Sequence, residues 1–170
     1  RLLRPENRLG WLAWEGDAGP RQQNPHMHLI EAALELADAT GLPPFIEVAR
    51  EIATLFQERM FDPRKRTLIE CYASDWTRQP RNGLPRVEPG HHLEWVWILH
   101  RAGPMLGLDL ANEARALYEF AERWGVNPQT GLAYDALNED GGVESAESRT
   151  WPQSERLKGN LAMFEHAGLD

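Results

Sequence analysis

Glu88-Pro89-Gly90-His91-His92-Leu93-Glu94-Trp95-Val96-Trp97 opens a helix with two histidines in its first turn. Pro89-Gly90 breaks the preceding chain, and an apolar helical pattern follows at once. Residues three apart share a helix face. His91, Glu94 and Trp97 therefore point one way. Trp95 and Trp97, two apart, cannot share a cleft, so one of them belongs to the core. The positive end of a helix disfavours imidazolium, which predicts a neutral His91 able to act as a base. An isolated His-x-x-Glu serves equally well as a cap or core filler. The stretch carries weight because the chain repeats it.

The composition narrows what the helix can serve. The 170 residues are 42% apolar and 26% charged, as in an ordinary globular domain. A net charge of −8 and a pI near 5.3 argue against nucleic acid as the main partner, because phosphate binding needs a basic face. A single cysteine, Cys71, excludes an internal disulfide framework and fits a reducing, cytoplasmic setting. No apolar run approaches the roughly twenty residues of a membrane span, and the opening Arg1-Leu2-Leu3-Arg4-Pro5 has no signal-peptide pattern. Seven tryptophans suit either a sugar cleft or a core.

Residues 1–23 read as irregular. Asn24-Pro25 reads as N-cap and first helical residue, with His28, Ala32, Leu36 and Ala39 as one stripe and Gly41 as the stop. Pro43-Pro44 starts a second helix with Phe45, Val48, Ala49, Ile52 and Phe56 on its face, ended by Asp62-Pro63. A short strand is expected within 67–76 and a loop over 77–90. The pattern then recurs. A helix runs from His91 to near Gly103-Pro104, and another from Leu110 to Trp124, ended by Asn127-Pro128. A short strand is expected at 132–136. A last helix starts near Trp151-Pro152 and carries Leu157, Leu161 and Phe164 up to Gly168. The helix openings recur at a period of roughly sixty-odd residues. Paired helices in such repeats bury their faces only by stacking, in an open solenoid or a closed ring.

Each opening is polar: Asn24, His26, His28 and Glu31; Glu88, His91, His92 and Glu94; Arg149, Trp151, Glu155 and Lys158. If these helices line a ring, their N-termini meet at one mouth. Titratable groups then face one substrate, with cations for a developing oxyanion. His26 and His92 are out of phase with His28 and His91 and read as structural. His100 and His166 are given no role.

Arg21-Gln22-Gln23-Asn24-Pro25-His26-Met27-His28-Leu29, Glu88 to Trp95, and Trp151-Pro152-Gln153-Ser154-Glu155 resemble signatures of the N-acylglucosamine 2-epimerase family. The resemblance runs through nearly the whole chain in order. It implies an all-α fold: a helix-pair repeat forming part of an (α/α)6 barrel, with short β-hairpin excursions. It implies that His91 shuttles a proton at sugar C1/C2 and that Glu94 orients or tunes it. Asn24, His28, Arg86, Trp97, Trp151 and Glu155 would line the sugar site, with Arg81 an alternative to Arg86. The wording is closest to the mannose-isomerase or acylglucosamine-epimerase branch. No phosphate cradle is evident, and no cofactor is required.

A closed ring of six helix pairs at this period takes well over roughly 300 residues, so a single domain that is an incomplete barrel is expected. It would lack a second family histidine, be inactive or weak alone, and self-associate through uncovered apolar faces. The expected chemistry is removal of the C2 proton of an open aldose, a cis-enediolate, and reprotonation at C1 or C2. Three alternatives remain: a glycoside hydrolase using Glu94 and Glu155, metal chemistry at His28-x-x-Glu31 and His91-x-x-Glu94, and a non-catalytic sugar- or protein-binding module. A spacing of three is common by chance, and no metal is assigned.

Overall fold

The computed structural model describes residues 4–5, 9–14, 19–78 and 83–167. Arg81 and Gly168 lie outside them. The described residues form five α-helices: α1 (Gln23–Thr40), α2 (Pro43–Leu55), α3 (Pro89–Leu106), α4 (Ala111–Trp124) and α5 (Thr150–Ala167). A π-helical turn, Phe56–Met60, extends α2. Proline stands in the first turn of α2 and of α3, where its missing N–H costs nothing. Gly41 and Gly107 end α1 and α3 at φ 66° and 64°, a conformation glycine takes without strain. α1 pairs with α2 and α3 with α4, while α3 packs along α5 and touches α1. The N-termini of α1, α3 and α5 share one end.

Two small sheets tie that end together. β1 (Arg21–Gln22) pairs antiparallel with β2 (Cys71–Tyr72). β3 (Arg86–Val87) pairs antiparallel with β4 (Ala136–Asn138), which forms a hairpin with β5 (Val143–Ser145). Between the sheets, Gln23 N–H donates to Glu70 C=O (3.2 Å) and Glu70 N–H to Arg86 C=O (3.0 Å). The starts of α1 and α3 are thereby hung on one extended segment at Glu70.

The internal repeat is visible as two copies of one turn. Asp62 N–H donates to Thr67 C=O and Asn127 N–H to Leu132 C=O, both at 2.9 Å. Asp62 Oδ1 accepts from Arg64 N–H (2.8 Å), as Asn127 Oδ1 does from Gln129 N–H (2.8 Å). Arg66 and Gly131 hold the same place at φ 59° and 71°.

The core runs from Met27, Ile30 and Leu34 through Ile52, Phe56 and Trp95 to Leu99, Leu117 and Met163. Several expectations shift. Asn24 is not the cap of α1: Gln22 holds that place without a side-chain bond, and Asn24 lies inside the first turn. The buried stripe of α1 is Met27, Ile30, Ala33, Leu34 and Ala37, while Leu36 is 44% exposed. Both stripes satisfy a 3.6-residue period, and the neighbours of α1 decide between them. Pro104 does not end α3, which continues to Leu106. The second strand falls at 136–138, not 132–136, because Ala133 bridges only to Val126. The first shrinks to Cys71–Tyr72, and β1–β2 is a long-range pair, not a hairpin. On α5, Leu157, Leu161 and Phe164 are 73%, 53% and 61% exposed, whereas Ala162 and Met163 are buried.

Candidate active site

His91 stands in the first turn of α3, almost buried. Its Nδ1 lies 3.0 Å from Glu70 Oε2, and its Nε2 lies 3.0 Å from Asn24 Nδ2. Trp95 Nε1–H donates to Gln23 Oε1 at 2.7 Å, which turns the Gln23 amide nitrogen towards Glu70 at 2.9 Å. Glu88 N–H adds a third donor to Glu70 at 3.2 Å. Gln23 Nε2 also lies 2.9 Å from Nδ1; because an ionised Glu70 only accepts, a proton on Nδ1 donates to it, and a neutral ring then offers its Nε2 lone pair to Asn24. Burial alone lowers the His91 pKa, but the Glu70 charge and hydrogen bond, with Glu88 and Glu94, raise it above the usual histidine value. Burial would lift the Glu70 pKa; His91 and the donors hold it below the carboxylate norm. The direction of the His91 shift is thus opposite to the one expected from the helix end. One carboxylate in direct contact outweighs the fractional charge of a helix end.

Trp151, at the start of α5, lies over His91 with ring centroids 4.9 Å apart. Gly90 makes this approach possible: a Cβ there would stand 2.7 Å from the Trp151 ring and 2.9 Å from Pro152. Beside them, Arg86 on β3 pairs with Glu88 (3.2 Å) and Asp135 (3.3 Å). Arg149 pairs with Glu88 (2.9 Å) and with Asp135, and lies 5.2 Å from the Trp151 ring. The two half-exposed guanidiniums form the rim, and Arg86 reaches His91 only through Glu88, which is 3.9 Å from Nδ1.

One turn further along α3, Glu94 faces α1 and α5. His28 Nδ1 is 3.4 Å from Glu94 and 3.8 Å from Glu31. Lys158 Nζ is 2.8 Å from Glu155, 3.7 Å from Glu31 and 4.6 Å from the Trp97 ring centroid. Burial first, then Glu155, pushes the Glu94 pKa up to about 7. Glu94 is the last of the carboxylates that raise the His91 pKa, and Glu70 and Asn24 hydrogen-bond its ring. Trp97 is a wall and not an open platform, because Lys158 and Arg101 lie against it. Trp95 is the core member of that pair, fully buried against Phe56.

Two groups bring three possible metal donors within 4.8 Å: His28, Glu31 and Glu94, and Glu70, Glu88 and His91. Protein cations and N–H donors already meet these carboxylates, and we assign no ion to either. His26 and His92 are structural, as their phase predicts. His26 Nε2 accepts Trp11 N–H at 2.9 Å, and His92 meets Thr67 and Leu68. Burial takes both pKa values down to about 4. His100 stacks on His166 at 5.1 Å, far along α3 and α5.

The structure thus gathers Asn24, His91, Trp151 and the Arg86–Arg149 rim into one cluster, and His28, Glu94 and Glu155 into the adjoining wall. The sequence reading missed Glu70, Gln23 and Asp135. Gln23 stands inside a quoted motif, and its place beside Asn24 was the available signal. Glu70 and Asp135 sit in loops with no periodic signature.

The N-acylglucosamine 2-epimerase (GlcNAc 2-epimerase) family profile matches residues 12–170. The chain belongs to the N-acylglucosamine 2-epimerase family. Among curated relatives, a mannose-6-phosphate isomerase of Rhizobium meliloti is 37% identical over 142 residues, 82% of this chain and 37% of that protein. A D-mannose isomerase of Thermobifida fusca is 29% identical over 92% of this chain and 42% of its own. A cellobiose 2-epimerase of Bacteroides fragilis is 25% identical over 91% and 39%. The chain spans about two fifths of the length of these relatives. Among solved structures, a D-mannose isomerase superposes with a TM-score of 0.77 at 20% identity, over 91% of this chain and 42% of that one. The cellobiose 2-epimerase of Spirochaeta thermophila gives 0.74 at 22%, over 95% and 41%. The mostly helical fold is therefore part of the fold that these family structures share. No helix among the described residues is long and apolar enough to cross a membrane.

Proposed function

We propose that this chain carries one wall of an aldose–ketose isomerase or 2-epimerase site, on an arc of an (α/α)6 barrel, with His91 as the proton-transfer base. The observation that carries the reading is the posture of His91. Its Nδ1 is anchored on Glu70, and its Nε2 is held by an amide that a substrate can displace. A carboxylate behind the imidazole makes the ring a stronger base and stabilises the imidazolium that forms when it takes a proton.

The step is removal of the C2 proton of an open-chain aldose by Nε2. Electrons move towards the C1 carbonyl, giving a cis-enediolate. Arg149 and Arg86 at the rim stabilise the developing oxyanion, and Asn24 holds a hydroxyl. Transfer of the O2 proton to O1 with return of the carbon proton at C1 gives the ketose; return at C2 from the other face restores the aldehyde as the epimer and needs a second base. Glu94, titrating near neutrality, donates or accepts at a sugar hydroxyl beside His28. No external oxidant or reductant enters: in the ketose C1 is reduced as C2 is oxidised. The related proteins are isomerases and epimerases by name, which places glycoside hydrolysis by Glu94 and Glu155 second. Glu31, Glu70, Glu88, Glu94, Asp135 and Glu155 surround the site, and both arginines are already paired. That balance favours a neutral sugar over a phosphorylated one.

Exchange of the C2 hydrogen needs only one base, so it tests the reading without full turnover. D-Mannose in deuterated water should gain deuterium at C2 with the protein and not with His91→Ala. Sugar-dependent shifts of the His91 and Trp151 resonances without exchange would indicate a binding module. Neither shift nor exchange would overturn the reading.

A further inference from the structure

In the wall formed by Glu31, Glu94 and Glu155, one cation bridges two of the three carboxyl groups. Lys158 follows Glu155 by one turn of α5, and its ammonium reaches Glu155 at 2.8 Å. It also reaches Glu31, on α1, at 3.7 Å, and lies over the Trp97 ring, on α3, at 4.6 Å. Lysine normally turns its ammonium out to water on a flexible stem. Here three helices hold that ammonium, and only about a third of the side chain is exposed, at 35%.

Like charges gathered in one wall repel, and each carboxylate disfavours ionisation of the next. The groups facing Glu94 are His28 and Glu31 from α1, His91 from its own helix, and Glu155 and Lys158 from α5. An imidazole changes its charge within the physiological range, whereas an ammonium in contact with carboxylates keeps it. Lys158 is accordingly the fixed cation of the wall. Burial opposes its charge, but contact with Glu155 and Glu31, and the nearby charge of Glu94, raise its pKa above the lysine norm.

We infer that Lys158 is a positioning residue of this site: its ammonium bridges Glu31 and Glu155 and, through Glu31, which shares His28 with Glu94, offsets the negative charge that the Glu94 carboxyl meets. The inference rests on the proposed function only for what Glu94 then meets; the electrostatic role stands without a sugar.

The test is NMR titration of the Glu94 side-chain carboxyl in 13C-labelled protein, assigned by its loss in Glu94→Gln. Lys158→Met should move the Glu94 midpoint up by about half a unit to one unit. Lys158→Arg should return it to the wild-type value. An unchanged midpoint in Lys158→Met, or an equal shift in Lys158→Arg, overturns the inference. If Lys158→Met does not fold, the wild-type chain decides: the Lys158 15Nζ resonance should inflect at the Glu94 midpoint, and a flat curve overturns the inference. No substrate enters the measurement. Failure to bind or exchange mannose would therefore sink the functional reading and leave this result standing.

Discussion

The Glu70 carboxylate lies 3.0 Å from His91 Nδ1 and also accepts from Gln23 (2.9 Å) and from Glu88 N–H (3.2 Å). A largely buried carboxylate with three donors, one of them ionisable, sets how stability follows pH. The His91 pKa is raised, so its contribution is complete below the ordinary histidine value and is lost as pH rises through the raised value. The Glu70 pKa is depressed, so its contribution is complete above the ordinary carboxylate value and is lost as pH falls through the lowered one. The pair stabilises most between those limits. Glu70→Gln should lower the His91 NMR midpoint and cost about 1–3 kcal/mol. Urea denaturation should show a larger cost near pH 6 than near pH 8.5.

Gly90→Ala tests the seat of Trp151. The new methyl would sit 2.7 Å from a rigid indole and 2.9 Å from Pro152. The helix would have to shift, at about 1–3 kcal/mol. Thermal unfolding should register the loss, and the ring-current shifts on His91 should change as Trp151 moves. An unaltered His91 spectrum would contradict this packing.

Glu94 behaves in the opposite sense to Glu70. Its folded pKa is raised to about 7, so the native state keeps its proton longer than the unfolded chain. Stability is then given up as pH climbs from the ordinary carboxylate value to about 7. Glu94→Gln removes that slope. Its urea midpoint relative to wild type should improve between pH 5 and pH 8, and a constant difference would refute the shift.

The twin turns give a paired prediction. Arg66 takes φ 59° where its counterpart is Gly131 at φ 71°. Gly131→Ala should cost about 1 kcal/mol. Arg66→Gly should be neutral or stabilising by a few tenths of a kcal/mol, since the exposed Arg66–Glu119 pair is worth about half a kcal/mol. Thermal melts of both variants check the contrast.

Leu157, Leu161 and Phe164 form an exposed apolar stripe on α5. The expected consequence is association of copies of the chain through this stripe. Leu161→Glu should lower the associated fraction in sedimentation velocity with little change in melting temperature, because more than half of the side chain is exposed in the single chain.

Much of this protein was legible in its residues. The helix starts at Pro43 and Pro89, the stops at Gly41 and after Trp124, the repeated Asp62-Pro63 and Asn127-Pro128 turns, and the membership of His91 and Trp151 in one end follow from local chemistry and spacing. Proline, glycine and a 3.6-residue period act within a few residues, so the chain alone specifies them. It also separated His26 and His92 from their neighbours by phase. Only the folded chain decided which of two equally periodic stripes on α1 and on α5 is buried, because the packing partner makes that choice. Only the folded chain brought Glu70 and Asp135 to helices far off in sequence, through strands of two or three residues too short to carry a pattern. The charge of His91 depends on that meeting, since a neighbouring carboxylate acts through space and leaves no mark in the order of residues.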